Sequence, residues 1–142
     1  MNKVSSIMSK NVASVTSSQS IQEAAQLMSQ HNVGSIPVVE NGQMKGIITD
    51  RDITLRTTAE GRDSNTKVSD VMTSQVVSGR SDMSYEEASQ LMAQNQIRRL
   101  PIVENNNLVG MVALGDLSVN QLSNESAGSA LSNISNQDNQ HK

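Results

Sequence analysis

The chain is predicted to be an α/β protein built from two copies of one β-α-β-β-α unit. Three observations predict this. Residues 4–54 and 68–118 align without a gap at an offset of 68 − 4 = 64, so that VSSIM answers VSDVM, EAAQLM answers EASQLM and IPVVEN answers LPIVEN. Within each copy the apolar pattern passes from helical spacing to strand-like runs in the same order. Cap and turn signals then recur at matching positions in both copies. A unit of about 50–60 residues buries too little surface to be comfortably stable alone. The two copies are therefore expected to close their apolar faces against each other, leaving clefts where their edges meet.

Each copy opens with a short β-like run, VAS (12–14) and VVS (76–78). Ser20 and Glu23, like Ser84 and Glu87, stand at the S-x-x-E spacing in which the serine caps a helix and the glutamate reaches back to it. The helix that follows places Ile21, Ala24, Ala25, Leu27 and Met28 on one face, and Tyr85, Ala88, Leu91 and Met92 in the second copy. It ends near His31-Asn32 and Asn95-Gln96. A hairpin comes next: IPVVE (36–40) turns through Asn41-Gly42 into MKGIIT (44–49), and LPIVE (100–104) turns through Asn105-Asn106-Asn107 into LVGMVA (108–113). Pro37 and Pro101 lie near strand starts, where a missing N–H is tolerated. A second helix is expected over residues 50–59 and 114–123. The boundaries implied are 1–59 for the first repeat, 60–67 for a polar linker and 68–123 for the second repeat. Residues 124–142, rich in Asn, Ser and Gln, are expected to form a disordered tail.

Composition removes several functions. Net charge is −3, which gives no basic surface for a nucleic-acid backbone or an anionic membrane. One Tyr, no Phe and no Trp leave almost nothing from which to build a base-stacking platform. Without Cys there are no disulfides, thiolate nucleophiles or Cys-based metal sites. Apolar runs are far shorter than a membrane span, and the first residues lack the apolar core of a signal peptide. The expectation is a cytoplasmic protein.

At GIITDRD (46–52), after the hairpin and opening a helix, the chain resembles the cystathionine beta-synthase (CBS) domain family, in the stand-alone bacterial form that carries a tandem pair, or Bateman module. The resemblance runs from Val4 to about Leu122. It rests jointly on the duplicated V-x-x-x-M lead-in, the two x-P-hydrophobic-V strands and the glycine-to-aspartate motif. It implies two repeats packed with pseudo-two-fold symmetry, sheets facing each other and helices outside. It also implies homodimers, and adenosine-containing ligands held in the clefts of a sensor rather than an enzyme.

Thr49 and Asp52 lie three apart at a helix start. One carboxylate can accept hydrogen bonds from both ribose hydroxyls, while the helix start offers amides to a phosphate. T-x-x-D is equally a helix-capping pattern, and a capping threonine can still meet a ligand. The family geometry implies that Thr49, Asp52 and the adjoining Ile48 face Val77, Ser78, Arg98 and Arg99 of the second repeat. Arginines there suit phosphate oxygens. Neighbouring strand residues point to opposite faces; the family pattern favours Arg99 and leaves Arg98 open. The second cleft would hold Asp116 and Ala113, with Ser14 and Ser35 opposite. There a methyl replaces the threonine hydroxyl and no phosphate clamp is evident, so one nucleotide per chain is expected, in the Thr49/Asp52 cleft.

The expected ligand is AMP, ADP or ATP, with S-adenosylmethionine and NAD ranked behind, and no cofactor is required. His31 is read as a helix C-terminal residue rather than a metal ligand. No catalytic constellation stands out. The output would pass to an effector protein in trans. The alternative is a structural dimerisation module whose clefts stay empty.

Overall fold

A computed structural model of the chain describes residues 2–124; the tail beyond Asn124 lies outside the described residues. The first repeat forms α1 (Ile21–His31), β1 (Ser35–Glu40), β2 (Gln43–Thr49) and α2 (Asp50–Ile53). The second forms α3 (Tyr85–Asn95), β3 (Arg99–Glu104), β4 (Asn107–Ala113) and α4 (Leu114–Asn124). Both capping boxes close. The Ser20 hydroxyl accepts the Glu23 amide at 3.2 Å and the Ser84 hydroxyl accepts the Glu87 amide at 3.0 Å, each glutamate returning a bond to its serine's amide. Asn32 and Gln96, with φ of 53° and 56°, end α1 and α3 in the left-handed conformation. In the hairpins Asn41-Gly42 and Asn105-Asn106 all have positive φ, as the tight connection of two right-twisted strands requires.

The hairpins meet at their turn ends. Gln43 pairs with Asn107, and the four strands take the order β1-β2-β4-β3. The second helix of the first repeat is less regular than its counterpart. After Ile53 it widens to π spacing over Thr54–Thr58, with the Ala59 amide on the Thr54 carbonyl at 2.9 Å.

The opening runs differ from expectation. Neither 12–14 nor 76–78 is a strand; each repeat keeps one parallel bridge just beyond, Val15 to Val38 and Gly79 to Ile102. The prolines explain this. Val15 and Gly79 donate to the carbonyls of Pro37 and Pro101 and accept from the amides of Val39 and Val103. The next rung would need an N–H from Pro37 or Pro101, which proline lacks. Beyond the bridge, Glu40 accepts the Ser17 amide and hydroxyl, and Glu104 accepts those of Ser81.

Ser81 holds the Glu104 carboxyl below its ordinary value of 4.5 through its hydroxyl and then its amide. A depressed folded value means stability present above the unfolded value near 4.5 and lost as the pH falls through the folded one. Ser81→Ala should therefore lower stability at neutral pH and flatten the acid limb of a urea-unfolding series. An unchanged acid limb would contradict this.

The two cores are crossed. Val68 and Val71 of the second lead-in are fully buried among Ile36, Val38, Ile48, Ala24 and Met28 of the first repeat. Val4 of the first lead-in is fully buried among Tyr85, Met92, Leu100, Ile102 and Leu117 of the second. The duplicated V-x-x-x-M segments are thus exchanged lids. Glycine makes room for the crossing: a Cβ on Gly46 would sit 2.7 Å from the Thr73 carbonyl oxygen, and one on Gly110 would sit 2.6 Å from Met8 Sδ. These are the glycines that open the two glycine-to-aspartate motifs.

Candidate functional site

Thr49 and Asp52 make the capping box their spacing allows. The Thr49 hydroxyl accepts the Asp52 amide at 3.0 Å, and Asp52 Oδ2 accepts the Thr49 amide at 3.1 Å. The crossed lead-in supplies Thr73, whose backbone pairs with Ile47 at 2.9 and 2.8 Å and whose hydroxyl lies 3.4 Å from Asp52 Oδ2. Arg56 approaches from the π turn, with Nε 3.9 Å from Asp52 Oδ1 and Nη1 donating to the carbonyls of Val71 at 3.1 Å and Met72 at 3.3 Å. Cap, ion pair and hydroxyl all engage a carboxylate that is only 13% exposed. Arg56 was not singled out from the sequence. Its position one turn after Asp52 was the available signal.

Arg99 lies elsewhere. In the antiparallel register it stands opposite Ala113 of its own hairpin, as Ser35 stands opposite Thr49. Side chains of directly opposed residues share one face. Arg99 therefore lines a cavity of about 220 Å³ together with Ala113 and Asp116, and Thr49 and Asp52 are not among its walls. The first repeat contributes Val12, Ala13, His31, Val33 and Ile36, and β4 contributes Met111. The segment that carries Ser9, Asn11, Val12 and Ala13 is held there because Ser9 and Met111 exchange backbone bonds of 2.8 and 2.9 Å. Arg99 is half-buried, and burial lowers its pKa from the ordinary arginine value, although an arginine stays charged at neutral pH. Its Nη1 donates to the Ser35 carbonyl and, at 3.0 Å, to the Ser35 hydroxyl. The guanidinium thus lies on the seam between repeats. The cleft expected to lack a cation has one.

The other expected residues are distributed as follows. Ile48 is 0% exposed within the first core and offers nothing to a cleft; alternation along β2 turns it away from the face that carries Thr49. Val77 packs against the second core, and Ser78 is exposed. Arg98 is exposed, and its carbonyl accepts the Leu114 amide at 2.8 Å at the start of α4. Ser14 is exposed and is not among the cavity's walls, which its neighbours Val12 and Ala13 do line. Ser35 touches the site through Arg99.

Chemically, the cavity has a buried apolar floor in Ile36 and Met111 and partly buried apolar walls in Val12, Ala13 and Val33. Arg99 is its inner cation, and the exposed Asp116 and His31 stand at the rim. Such a mixture suits a small amphipathic ligand with hydroxyls and an anionic end. Among the described residues, no three His, Asp or Glu side chains gather into a set that could hold a metal. Also among the described residues, no helix is long and apolar enough to cross a membrane.

Comparison with known proteins agrees with this architecture. The family model for the CBS domain matches residues 4–56 and again 68–120. The chain is 68% identical over 137 residues to the CBS domain-containing protein YhcV of Bacillus subtilis, covering 96% of this chain and 98% of that one. Among solved structures it is similar to hypoxic response protein I with two coordinated zinc ions, at 28% identity and a TM-score of 0.76 over 83% of this chain and 98% of that one. It is also similar to the CBS domain pair of protein MJ0100 in complex with 5'-methylthioadenosine and S-adenosylmethionine, at 27% identity and a TM-score of 0.74 over 88% of this chain and 99% of that one. Modules of this kind are regulatory rather than catalytic, and some bind adenosine-containing ligands. With both halves matched and their cores exchanged, the chain belongs to the CBS-domain family as a tandem pair.

Proposed function

We propose that the protein is a non-catalytic sensor of adenine nucleotides that binds AMP, ADP or ATP in the Asp116 cavity and acts on a partner protein in trans. The observation that carries this reading is the convergence of Asp116 and Arg99 on one cavity between the repeats. Asp116 would accept the ribose hydroxyls. Val12, Ala13 and Val33 would flank the base, and Arg99 would meet phosphate. At about 220 Å³ the cavity is smaller than the roughly 300–1,000 Å³ of pockets that enclose drug-sized ligands. It would therefore take the nucleoside and leave the outer phosphates towards solvent. The Thr49/Asp52 cleft is the second candidate; it ranks behind because Arg99 lines the Asp116 cavity instead.

Ligand that binds only the folded form raises the melting temperature as its concentration exceeds Kd. A thermal-shift panel of adenosine, AMP, ADP, ATP, NAD and S-adenosylmethionine should give its largest shifts with the phosphorylated adenosines. Arg99→Ala should reduce the ADP shift to that of adenosine. Equal shifts for adenosine and ADP on the unaltered protein would refute the phosphate assignment.

The second reading, a structural dimerisation module, draws on Leu55 and Val119. They are 50% and 61% exposed and occupy equivalent positions, 119 − 55 = 64. We take self-association through these two exposed helix positions as compatible with sensing in the cytoplasm. Sedimentation of Leu55→Asp and Val119→Asp variants tests it, and a dimer that survives both would place the contact elsewhere.

A further inference from the structure

Ser35 and Arg99 occupy equivalent positions in the two repeats, 99 − 35 = 64, and they meet across the seam. Arg99 Nη1 donates to the Ser35 carbonyl and, at 3.0 Å, to the Ser35 hydroxyl. Ser35 is not itself among the walls of the cavity that Arg99 lines. The fold explains why Ser35 has a carbonyl to offer. Backbone carbonyls along a strand face alternate edges, so those of Ser35 and Pro37 face the same one. There Pro37 accepts the Val15 amide at 3.1 Å. β1 ends the sheet on that side, and the lead-in bridges it at Val15 and Val38 without forming a strand, because Pro37 has no N–H to continue the ladder. Arg99 supplies the donor that a continuing ladder would have given.

We infer that Ser35 is a positioning residue, fixing from the first repeat the guanidinium with which the second repeat meets the phosphate end of a nucleotide. This rests on the proposed nucleotide site. Both bonds to Ser35 use Nη1. A guanidinium carries five N–H donors on three nitrogens, so Nε and Nη2 are left to address phosphate oxygens. An arginine held in place before binding loses less side-chain freedom when the ligand arrives. The departure from exact duplication is part of the device. Arginine at both positions would set like charges against each other on the seam, and serine at both would leave the cavity without its inner cation. Ser35 thereby sets how strongly the cavity prefers a phosphorylated nucleoside to the bare one.

The test is calorimetric titration of ADP and of adenosine into the unaltered protein, Ser35→Ala and Ser35→Thr. Alanine deletes one oxygen and keeps the carbonyl, while threonine restores the hydroxyl and suits a strand, so both variants should fold. Ser35→Ala should weaken ADP binding by about fivefold, the scale of one hydrogen bond, and leave adenosine unchanged. Ser35→Thr should recover most of the ADP affinity. In an Arg99→Ala background, Ser35→Ala should have no further effect on ADP, an outcome that a merely structural role would not produce. Unchanged or tighter ADP binding in Ser35→Ala, or equal weakening of ADP and adenosine, would overturn the role of Ser35 while leaving the nucleotide site standing. Absence of ADP binding to the unaltered protein would overturn both.

Discussion

Val68→Asp is expected to unfold the first repeat, although Val68 belongs in sequence to the second. Its side chain is fully buried in the core that also holds Ile36, Val38 and Ile48. An aspartate there has no counter-charge among those apolar neighbours, and burying such a charge costs several kcal/mol, against a typical domain stability of about 5–15 kcal/mol. Val68→Ala is the milder probe. It removes two methyl groups, about 1.5 kcal/mol of transfer energy before any cavity cost. Amide exchange should then speed up in α1 and β1 more than in α3 and β3. Val4→Ala should produce the reverse, since Val4 lies among Tyr85, Leu100 and Ile102. Equal acceleration in both halves, or acceleration confined to the variant's own repeat, would contradict exchanged cores.

Gly46→Val should be the most damaging single change on the sheet. The new Cβ would meet the Thr73 carbonyl oxygen at 2.7 Å and Met72 Sδ at 3.0 Å. That carbonyl accepts the Ile47 amide at 2.9 Å, so relief of the clash opens the bridge that holds the crossed lead-in against β2. Overpacking of this sort costs about 1–3 kcal/mol, and about 1 kcal/mol more goes with each backbone bond lost. Gly110→Ala should be milder, because its closest contact is the flexible end of Met8, at 2.6 Å. Gly115→Ala has nothing within 4 Å and serves as the neutral control. Chemical denaturation of the three variants should rank them in that order; a Gly46→Val protein as stable as Gly115→Ala would remove the steric argument.

What the sequence made legible is what local chemistry decides. Ser20 and Ser84 cap because a hydroxyl and a carboxylate three residues apart can only reach each other's amides across one helical turn. Asn41-Gly42 turns because those residues tolerate positive φ. The 64-residue offset by itself marks two equivalent units. The pairing of residues into clefts was harder to read. The family resemblance implies Arg99 in the Thr49/Asp52 cleft of the other repeat, whereas the hairpin register sets it opposite Ala113. Counting outward from the Asn105-Asn106 turn, with allowance for the bulge near Ile102, leads to that partner. The exchange of Val4 and Val68 between cores, and the meeting of Val12, Ala13 and Val33 with Arg99 and Asp116 around one cavity, join segments far apart in sequence. No periodicity within either repeat records such contacts.

Titration calorimetry of ADP into the unaltered protein, Asp116→Ala and Asp52→Ala tests the central assignment most directly, because the two carboxylates hold equivalent places in the two repeats. Binding is expected at one site per chain, abolished in Asp116→Ala and retained within a few-fold in Asp52→Ala, where Asp52 serves as a helix cap. Loss of binding in Asp52→Ala with full affinity in Asp116→Ala would contradict the account and return the nucleotide to the opposite cleft.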